Sequence, residues 1–239
     1  MSTFIEQARR TLLEMAHEAP RSVADYSDSR LTSILNGYSA AQIVREILDS
    51  SQVLEDIARR SYTHSNGFDK ITLISNGKPE FKLRLHIWWP RVRSGQNTEL
   101  IHNHRWLFTS TTLCGSAQVE TFTEKDSGEP MCRHEYFPRH DALEKYDLKF
   151  VGRSRLASDL MIKLTPGSTY SMGPDLLHRV LWAADLVSMT MFVRWESIRS
   201  TAAVFSESVI KDEKILSVPS FAPDQLRLKL ESVLRELGC

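Results

Sequence analysis

Two histidines, His102 and His104, lie one residue apart at the start of an apolar run that continues through Phe108. In an extended strand, side chains at i and i+2 leave the same face, with Cα atoms about 6.5–7 Å apart. Two imidazoles arranged in this way can bind one metal ion. A third histidine, His178, lies in a later apolar run that follows Gly-Pro-Asp, and we predict that it completes the site.

The spacing is what separates these three histidines from the others. A single histidine is more often a surface or hydrogen-bonded core residue than a metal ligand. The remaining histidines lack partners at ligand spacing, with His86 as an intermediate case because it alternates with Arg84 and Trp88 along one strand face. We assign no role to His17, His64, His134 and His140.

The scaffold around the histidines is predicted to be β-structure. Two alternating runs, at 70–75 and 81–87, flank Asn76-Gly77, which is a strong hairpin signal. Short apolar runs then recur with turn residues between them, for example a run at 100–113 and a turn at 128–130. Many short strands with this spacing predict an all-β sandwich or barrel.

Helical periodicity is found at both ends of the chain. It predicts helices over 3–19, 22–35, 40–48, 52–60, 200–211 and 223–237. Ser39 and Gln42 match a capping box at the start of the third of these. We therefore expect an N-terminal helical section (1–67), a β-barrel that carries the site (68–196) and a C-terminal helical section (197–239), with the helices packed on one β core.

The composition favours a small-molecule partner. Thirty basic residues balance thirty acidic ones, and no dense basic cluster indicates a nucleic-acid or membrane surface. No apolar run is long enough to span a membrane, and charged residues occupy the N-terminus where a signal peptide would be apolar. The three cysteines lack CxxC spacing, which favours free thiols. We expect a cytoplasmic protein that binds neither nucleic acid nor membrane and that could form a homodimer.

The histidine pattern resembles the cupin superfamily over roughly residues 68–196. In the first cupin motif, His102 and His104 take the two histidine positions and Gly115 closes the motif, while Gly95 stands one position too far away. In the second motif, Gly167 takes the opening position and His178 the ligand position. The resemblance implies a cupin-type double-stranded β-helix, a jelly-roll barrel, flanked by N-terminal and C-terminal α-helices.

The main departure from the cupin pattern is Phe108, which occupies the place of the motif glutamate. The chain then resembles the three-histidine branch of the superfamily, which includes the cysteine dioxygenase-like non-haem iron oxygenases. This resemblance implies Fe(II) with open positions for substrate and dioxygen. Imidazole ligation also suits zinc, copper and nickel, and the metal stays open, with zinc, manganese or nickel as the alternatives to iron.

Other side chains are predicted to line the barrel by strand alternation or by their place in the strands. Aromatic walls would hold an apolar or ring-bearing substrate, and a buried arginine would bind a substrate carboxylate in bidentate fashion. The candidates for substrate binding are Arg84, His86, Trp106, Phe108, Trp182 and Arg194. Tyr170 is the candidate catalytic residue, because its hydroxyl can donate a hydrogen bond to substrate or oxygen.

Three functions remain open at this point. The first is a non-haem iron dioxygenase acting on a small organic molecule. The second is a redox-neutral cupin in which zinc, manganese or nickel serves an isomerase, decarboxylase or hydrolase. That chemistry needs a proton-transfer group, for which Tyr170, His86 and Asp175 are the candidates. The third is a non-enzymatic cupin that binds a small ligand.

Overall fold

Helices are found at both ends of the chain in the structure, a computed structural model that describes residues 2–18, 29–64, 66–90, 98–138, 146–211 and 219–239. These helices are α1 (Phe4–His17), α2 (Ser29–Ile34), α3 (Gly37–Leu48), α4 (Ser51–Ala58) and α5 (Pro223–Glu236). No helix in the described parts of the chain is long and apolar enough to cross a membrane.

Eleven strands lie between α4 and α5 in the described chain. They are β1 (Tyr62–Thr63), β2 (Asp69–Asn76), β3 (Phe81–Trp88), β4 (Ile101–His102), β5 (Trp106–Cys114), β6 (Ala117–Pro138), β7 (Tyr146–Leu164), β8 (Thr169–Met172), β9 (Leu177–Trp182), β10 (Ser188–Ser197) and β11 (Ala202–Ser206). The first sheet has the order β1-β2-β3-β10-β5-β8, and the second has the order β11-β4-β9-β6-β7.

The strand order confirms the predicted fold. From β3 to β10 the chain alternates between two antiparallel sheets, with neighbours 3-10-5-8 in one sheet and 4-9-6-7 in the other. This is the double Greek key arrangement of an eight-stranded jelly roll. Strands β1 and β2 extend the first sheet, and β11 extends the second beside β4.

The first sheet separates two cores. The outward side chains of β3, namely Phe81, Leu83, Leu85 and Ile87, are fully buried against helices α1, α3, α4 and α5. The inward side chains alternate with them, and Trp88 joins Phe108 and Phe192 in the core between the two sheets. Because successive side chains of a strand point to opposite faces, β3 contributes side chains to both cores.

Helices α1, α3 and α4 each follow a residue whose side chain accepts a hydrogen bond from a backbone N–H of the first turn. Thr3 and Glu6 form a capping box at α1. Helix α3 begins earlier than predicted, because Asn36 accepts a hydrogen bond from the N–H of Ser39, so the prediction of a cap at Ser39 was wrong. Part of the predicted helix 22–35 lies outside the described residues, and α2 covers its end.

Two other predictions of local structure were wrong. Residues 202–206 form β11 instead of part of a helix over 200–211, because their backbone pairs with both β4 and β6 while Ala203 and Phe205 point into the core. The predicted turn at 128–130 lies within β6. Glu124 and Glu129 both lie opposite Leu156, so the residues between them form a bulge in a continuing strand.

Candidate metal centre

Three histidines converge at one place between the sheets. His102 lies on β4 directly opposite His178 on β9, and His104 lies in the connection between β4 and β5. One ligand nitrogen from each ring lies within 4.8 Å of the others. The ring centroids are 4.9 Å apart for His102 and His104, and 4.7 Å apart for His102 and His178.

His104 lies outside the strands, and the hydrogen bonds of its neighbour Asn103 hold it in position. The predicted strand 100–113 is interrupted between β4 and β5. Asn103 forms two hydrogen bonds with Ala203 of β11. Its backbone N–H donates to the Ala203 carbonyl at 3.1 Å, and its side-chain oxygen accepts from the Ala203 N–H at 2.7 Å. These bonds fix the short segment that carries His104.

Backbone carbonyls orient two of the imidazoles. The Nδ1 atom of His102 lies 2.8 Å from the carbonyl oxygen of Leu100, and that of His178 lies 3.2 Å from the carbonyl oxygen of Leu176. A carbonyl oxygen only accepts, so Nδ1 carries the hydrogen and Nε2 keeps its lone pair. This tautomer, fixed by a second hydrogen bond, is the one that suits a metal-ligating histidine.

Burial keeps two of the rings neutral. It lowers the pKa of His178 to about 3, with His102 adding a smaller repulsive effect. Burial likewise lowers the pKa of His104 well below its ordinary value, and His102 and His178 lower it further. Since only neutral imidazole binds a metal, the donor set fits a divalent cation that accepts nitrogen ligands.

Aromatic rings take the place of a fourth ligand. The ring of Phe108 lies 5.0 Å from that of His104 and 5.9 Å from that of His178, and Trp106 stacks on His104 at 5.0 Å. Within the described chain, the cluster contains no carboxylate. The departure at Phe108 therefore leaves a three-histidine donor set with apolar surroundings. Gly95, the displaced glycine of the motif, lies outside the described residues.

The histidines face a cavity of about 510 Å³ between the two sheets. This volume falls within the range of about 300–1,000 Å³ that is typical of small-molecule sites. The residues predicted for the wall that do line it are Arg84, His86, Trp106, Phe108 and Tyr170. The cavity is therefore shaped by both sheets and walled in part by aromatic rings.

Tyr170 is a buried hydroxyl in this cavity. It lies opposite Ser110 on β5, with which it forms a side-chain hydrogen bond. Burial raises its pKa to about 12, so the phenol is protonated at neutral pH. Tyr170 can thus donate a hydrogen bond to a bound molecule.

The structure places the other predicted side chains away from the cavity wall. Trp182 packs behind Trp88, with ring centroids 5.8 Å apart. The guanidinium of Arg194 forms an ion pair with Glu80 and lies over the ring of Trp106. The side chain of Asp175 is 78% exposed and pairs with Arg199. Trp182 and Arg194 do not line the cavity, and substrate binding by these two residues stays a prediction.

Sequence reasoning missed several residues that line the cavity, and Glu99 is the most informative. It is 8% exposed, and burial raises its pKa. Its backbone N–H donates to the Val180 carbonyl at 3.0 Å, which ties the segment to β9. Glu99 lies outside any regular strand, so no alternation pattern pointed to it. His64, to which no role was assigned, and Lys70 also line the cavity.

Comparisons with known proteins identify no family for this chain. No protein-family model and no curated protein matches it. Among solved structures it is similar to a hydroquinone 1,2-dioxygenase from Sphingomonas sp. TTNP3 with 4-hydroxybenzoate bound, at 10% identity and a TM-score of 0.34, over 64% of this chain and 74% of that one.

Two further structures match at the same level. One is the DMSP lyase DddQ from Ruegeria pomeroyi, at 12% identity and a TM-score of 0.34, over 56% of this chain and only 50% of the lyase. The other is an uncharacterised double-stranded β-helix protein from Klebsiella pneumoniae, at 8% identity and a TM-score of 0.34, over 63% of this chain and 94% of that one. Likeness this distant carries no information on activity or substrate.

Proposed function

We propose that this protein is a metal-dependent cupin enzyme, a non-haem Fe(II) oxygenase that acts on a small organic molecule. The observation that carries the proposal is the convergence of three imidazoles, with no carboxylate in the cluster within the described chain, at a cavity partly lined by aromatic rings. Three neutral ligands leave a metal with its full charge and with open positions, which favours a catalytic ion over a structural one.

The chain's own residues have distinct tasks in this proposal. His102, His104 and His178 would hold the metal, and His102 and His178 would do so through Nε2, because the carbonyls of Leu100 and Leu176 fix the hydrogen on Nδ1 of these two rings. Ferrous iron bound there would supply the redox chemistry that lets dioxygen react with an organic substrate. Phe108 and Trp106 exclude water from the site, and Tyr170 donates a hydrogen bond to the substrate.

Metal analysis and oxygen uptake test this function together. The purified protein should contain about one metal ion per chain, and His104→Ala should lose it, while His17→Ala, a change at a histidine far from the cluster in sequence, should retain it. After reconstitution with ferrous iron, the wild type should consume oxygen with a compound from a broad panel of small organic molecules. Failure to bind any metal, or to consume oxygen across the whole panel, would contradict the proposal.

A redox-neutral reaction is the second candidate, and Glu99 is the observation that favours it. A buried carboxyl group with a raised pKa in the cavity wall is a suitable general acid or base for isomerisation or hydrolysis at a zinc, manganese or nickel ion. Activity that persists without oxygen and falls at least about a hundredfold in Glu99→Gln would support this candidate. Oxygen-dependent turnover that survives Glu99→Gln would exclude it.

A further inference from the structure

The charged side chains around the cavity are mostly cationic. Among the described residues that line it, Lys70, Arg84, Arg105 and Lys211 are basic and Glu99 is the one carboxylate. Four positive charges and one negative charge leave a formal excess of three positive charges. The histidines do not offset this excess. The charge balance of this described lining favours an anion over a cationic molecule.

Two of these cations lie together on the inner face of the first sheet. Lys70 lies opposite His86, and Thr72 lies opposite Arg84, so Lys70 and Arg84 are diagonal neighbours across β2 and β3. Arg84 is only 9% exposed. Lys70 Nζ donates to the Tyr62 hydroxyl at 2.9 Å.

The neighbouring titratable groups respond to this positive charge. Burial is the main cause that lowers the pKa of His64 and His86, and Lys70 and Arg84 both lower it further. Burial, then Arg194 and Arg84, lower the pKa of Lys82 to about 8. An anion bound beside Lys70 and Arg84 would interact favourably with both charges.

An aromatic surface connects these cations to the histidine cluster. Phe192 lies opposite Arg84 on β10 and stacks with His86 at 4.8 Å between ring centroids. On its other side Phe192 stacks with Phe108 at 4.8 Å, and Phe108 contacts His104. A planar ring would pack on this surface, with one end at Arg84 and the other at the histidines.

We propose that the substrate is an aromatic anion, whose acidic group binds Arg84 and Lys70 while its ring packs against Phe192 and Phe108 and reaches the histidine cluster. This inference rests on the proposed function for the reaction itself, but the binding mode can be tested without turnover. Arginine binds carboxylate and phosphate in bidentate fashion, and lysine adds a second charge. A carboxylate and a phosphate are thus the two acidic groups that the site can recognise.

The test is isothermal titration calorimetry with benzoate, benzamide and phenyl phosphate. Each probe is titrated into the full-length protein as purified and again after dialysis against EDTA, because a bound metal ion is another ligand for a carboxylate. We expect benzoate or phenyl phosphate to bind at least about tenfold more tightly than neutral benzamide, a difference of about 1.4 kcal/mol. Whichever anion binds more tightly identifies the acidic group.

Substitutions of Arg84 and Lys70 test where the acidic group binds. Arg84→Met should remove the preference for the anion and leave the affinity for benzamide unchanged, Arg84→Lys should retain part of it, and Lys70→Met should weaken it. Arg179→Met is the matched control, because Arg179 pairs with Glu120 and does not line the cavity. Thermal unfolding of each variant checks that it is folded.

Other outcomes would overturn this inference. They are equal binding of the charged and neutral probes by the wild type, no binding of any probe, or an anion preference that survives both Arg84→Met and Lys70→Met. None of these results depends on iron or oxygen. A protein that prefers the anion but fails to consume oxygen would therefore contradict the proposed function and leave the substrate class standing.

Discussion

Phe108 is the residue that separates this site from a four-ligand metal site. Its ring lies 5.0 Å from that of His104 and 5.9 Å from that of His178, so the position faces the place where the three ligand nitrogens meet. A carboxylate at this position would face a metal ion held by the three histidines. The apolar ring of Phe108 instead leaves the histidine cluster in the described chain without an anionic ligand.

Phe108→Glu should therefore increase the affinity of the site for a divalent metal ion. We expect the affinity for a divalent metal to rise by about tenfold, or about 1.4 kcal/mol, because an anionic ligand is added to three neutral ones. The measurement is competition for the metal with a chromophoric chelator. Phe108→Leu, which stays apolar, is the control, and equal metal affinity in the two folded variants would contradict this role of the position.

The three cysteines differ in their expected reactivity. All are free thiols in the structure, as the lack of CxxC spacing predicted. Cys239 is exposed, whereas Cys114 is half-buried, and burial, reinforced by Glu236, raises the pKa of its thiol to about 11. A raised pKa disfavours the reactive thiolate in the folded protein, so that at pH 8 only about one Cys114 thiol in a thousand is deprotonated.

Labelling with a thiol reagent at pH 8 should therefore modify Cys239 first. Cys239→Ser should remove the fast phase, and the slow reaction of Cys114 should accelerate as the pH approaches 11 because the thiolate fraction grows. Peptide mapping by mass spectrometry assigns each phase to its residue. Labelling of Cys114 as fast as that of Cys239 at pH 8 would show that the thiol is not protected.

At the scale of single residues, sequence could predict the histidines and Arg84 but not Glu99 and Lys70. The spacing of His102 and His104 is a local property, and the place of His178 follows from a motif. Glu99 and Lys70 reach the cavity through segments from different parts of the chain, and nothing in their own neighbourhoods indicates that they meet. The ion-pair partner of Arg194 is likewise distant in sequence, since Glu80 lies on another segment of the chain.

At the scale of elements, the turn at Gly115 between β5 and β6 is predicted to require glycine. Gly115 has φ +73°, and a Cβ atom there would lie 2.2 Å from the Val187 carbonyl oxygen, a backbone atom that cannot move aside easily. Gly115→Ala should therefore destabilise the protein by about 2 kcal/mol or more, through both the left-handed backbone and the clash. Denaturant unfolding measures the change.

Gly77 provides the matched control for that experiment. A Cβ atom at Gly77 would meet nothing within 4 Å, and its φ lies outside the left-handed range. Gly77→Ala should change the free energy of unfolding by less than about 0.5 kcal/mol. A loss of stability for Gly115→Ala no larger than that for Gly77→Ala would contradict the steric argument.

Sequence predicts an element well where its own residues decide the structure. The alternation in β3 correctly separated Phe81 and Leu83 from Arg84, because one sheet covers one core on each face. Residues 202–206 show the opposite case. Ala202 to Ser206 are compatible with a helix, and only the open edges of β4 and β6 make them a strand. Such tertiary pairing is not visible in the local pattern.

At the scale of the whole molecule, the helices share a continuous core with the first sheet. Buried side chains of α1, α3, α4 and α5 pack with those of β3 and β10 in one cluster. The amphipathic pattern of 223–237 predicted a buried stripe, but sequence alone left two partners open, the barrel or the N-terminal helices. In the structure Leu226, Leu230 and Val233 are buried in this shared core, and α5 packs on α3 and α4.

A shared core implies that the helical sections and the barrel unfold together. Leu230→Ala removes a side chain that is 0% exposed, and we expect it to cost about 2–5 kcal/mol, whereas Leu228→Ala, at a position 65% exposed, should change stability by less than about 0.5 kcal/mol. Far-ultraviolet circular dichroism follows the helices, and tryptophan fluorescence follows the barrel interior in a background where Trp89 and Trp195, which lie at the core shared with the helices, are replaced by Phe and Trp88 and Trp182 are kept. If the helices and the barrel unfold as one cooperative unit, both signals should shift to the same lower denaturant midpoint in Leu230→Ala. The reason is that loss of packing at α5 also lowers the stability of the first sheet, on which the helices pack. A fluorescence transition that stays in place while the helical signal moves would show that the helices form a separate folding unit.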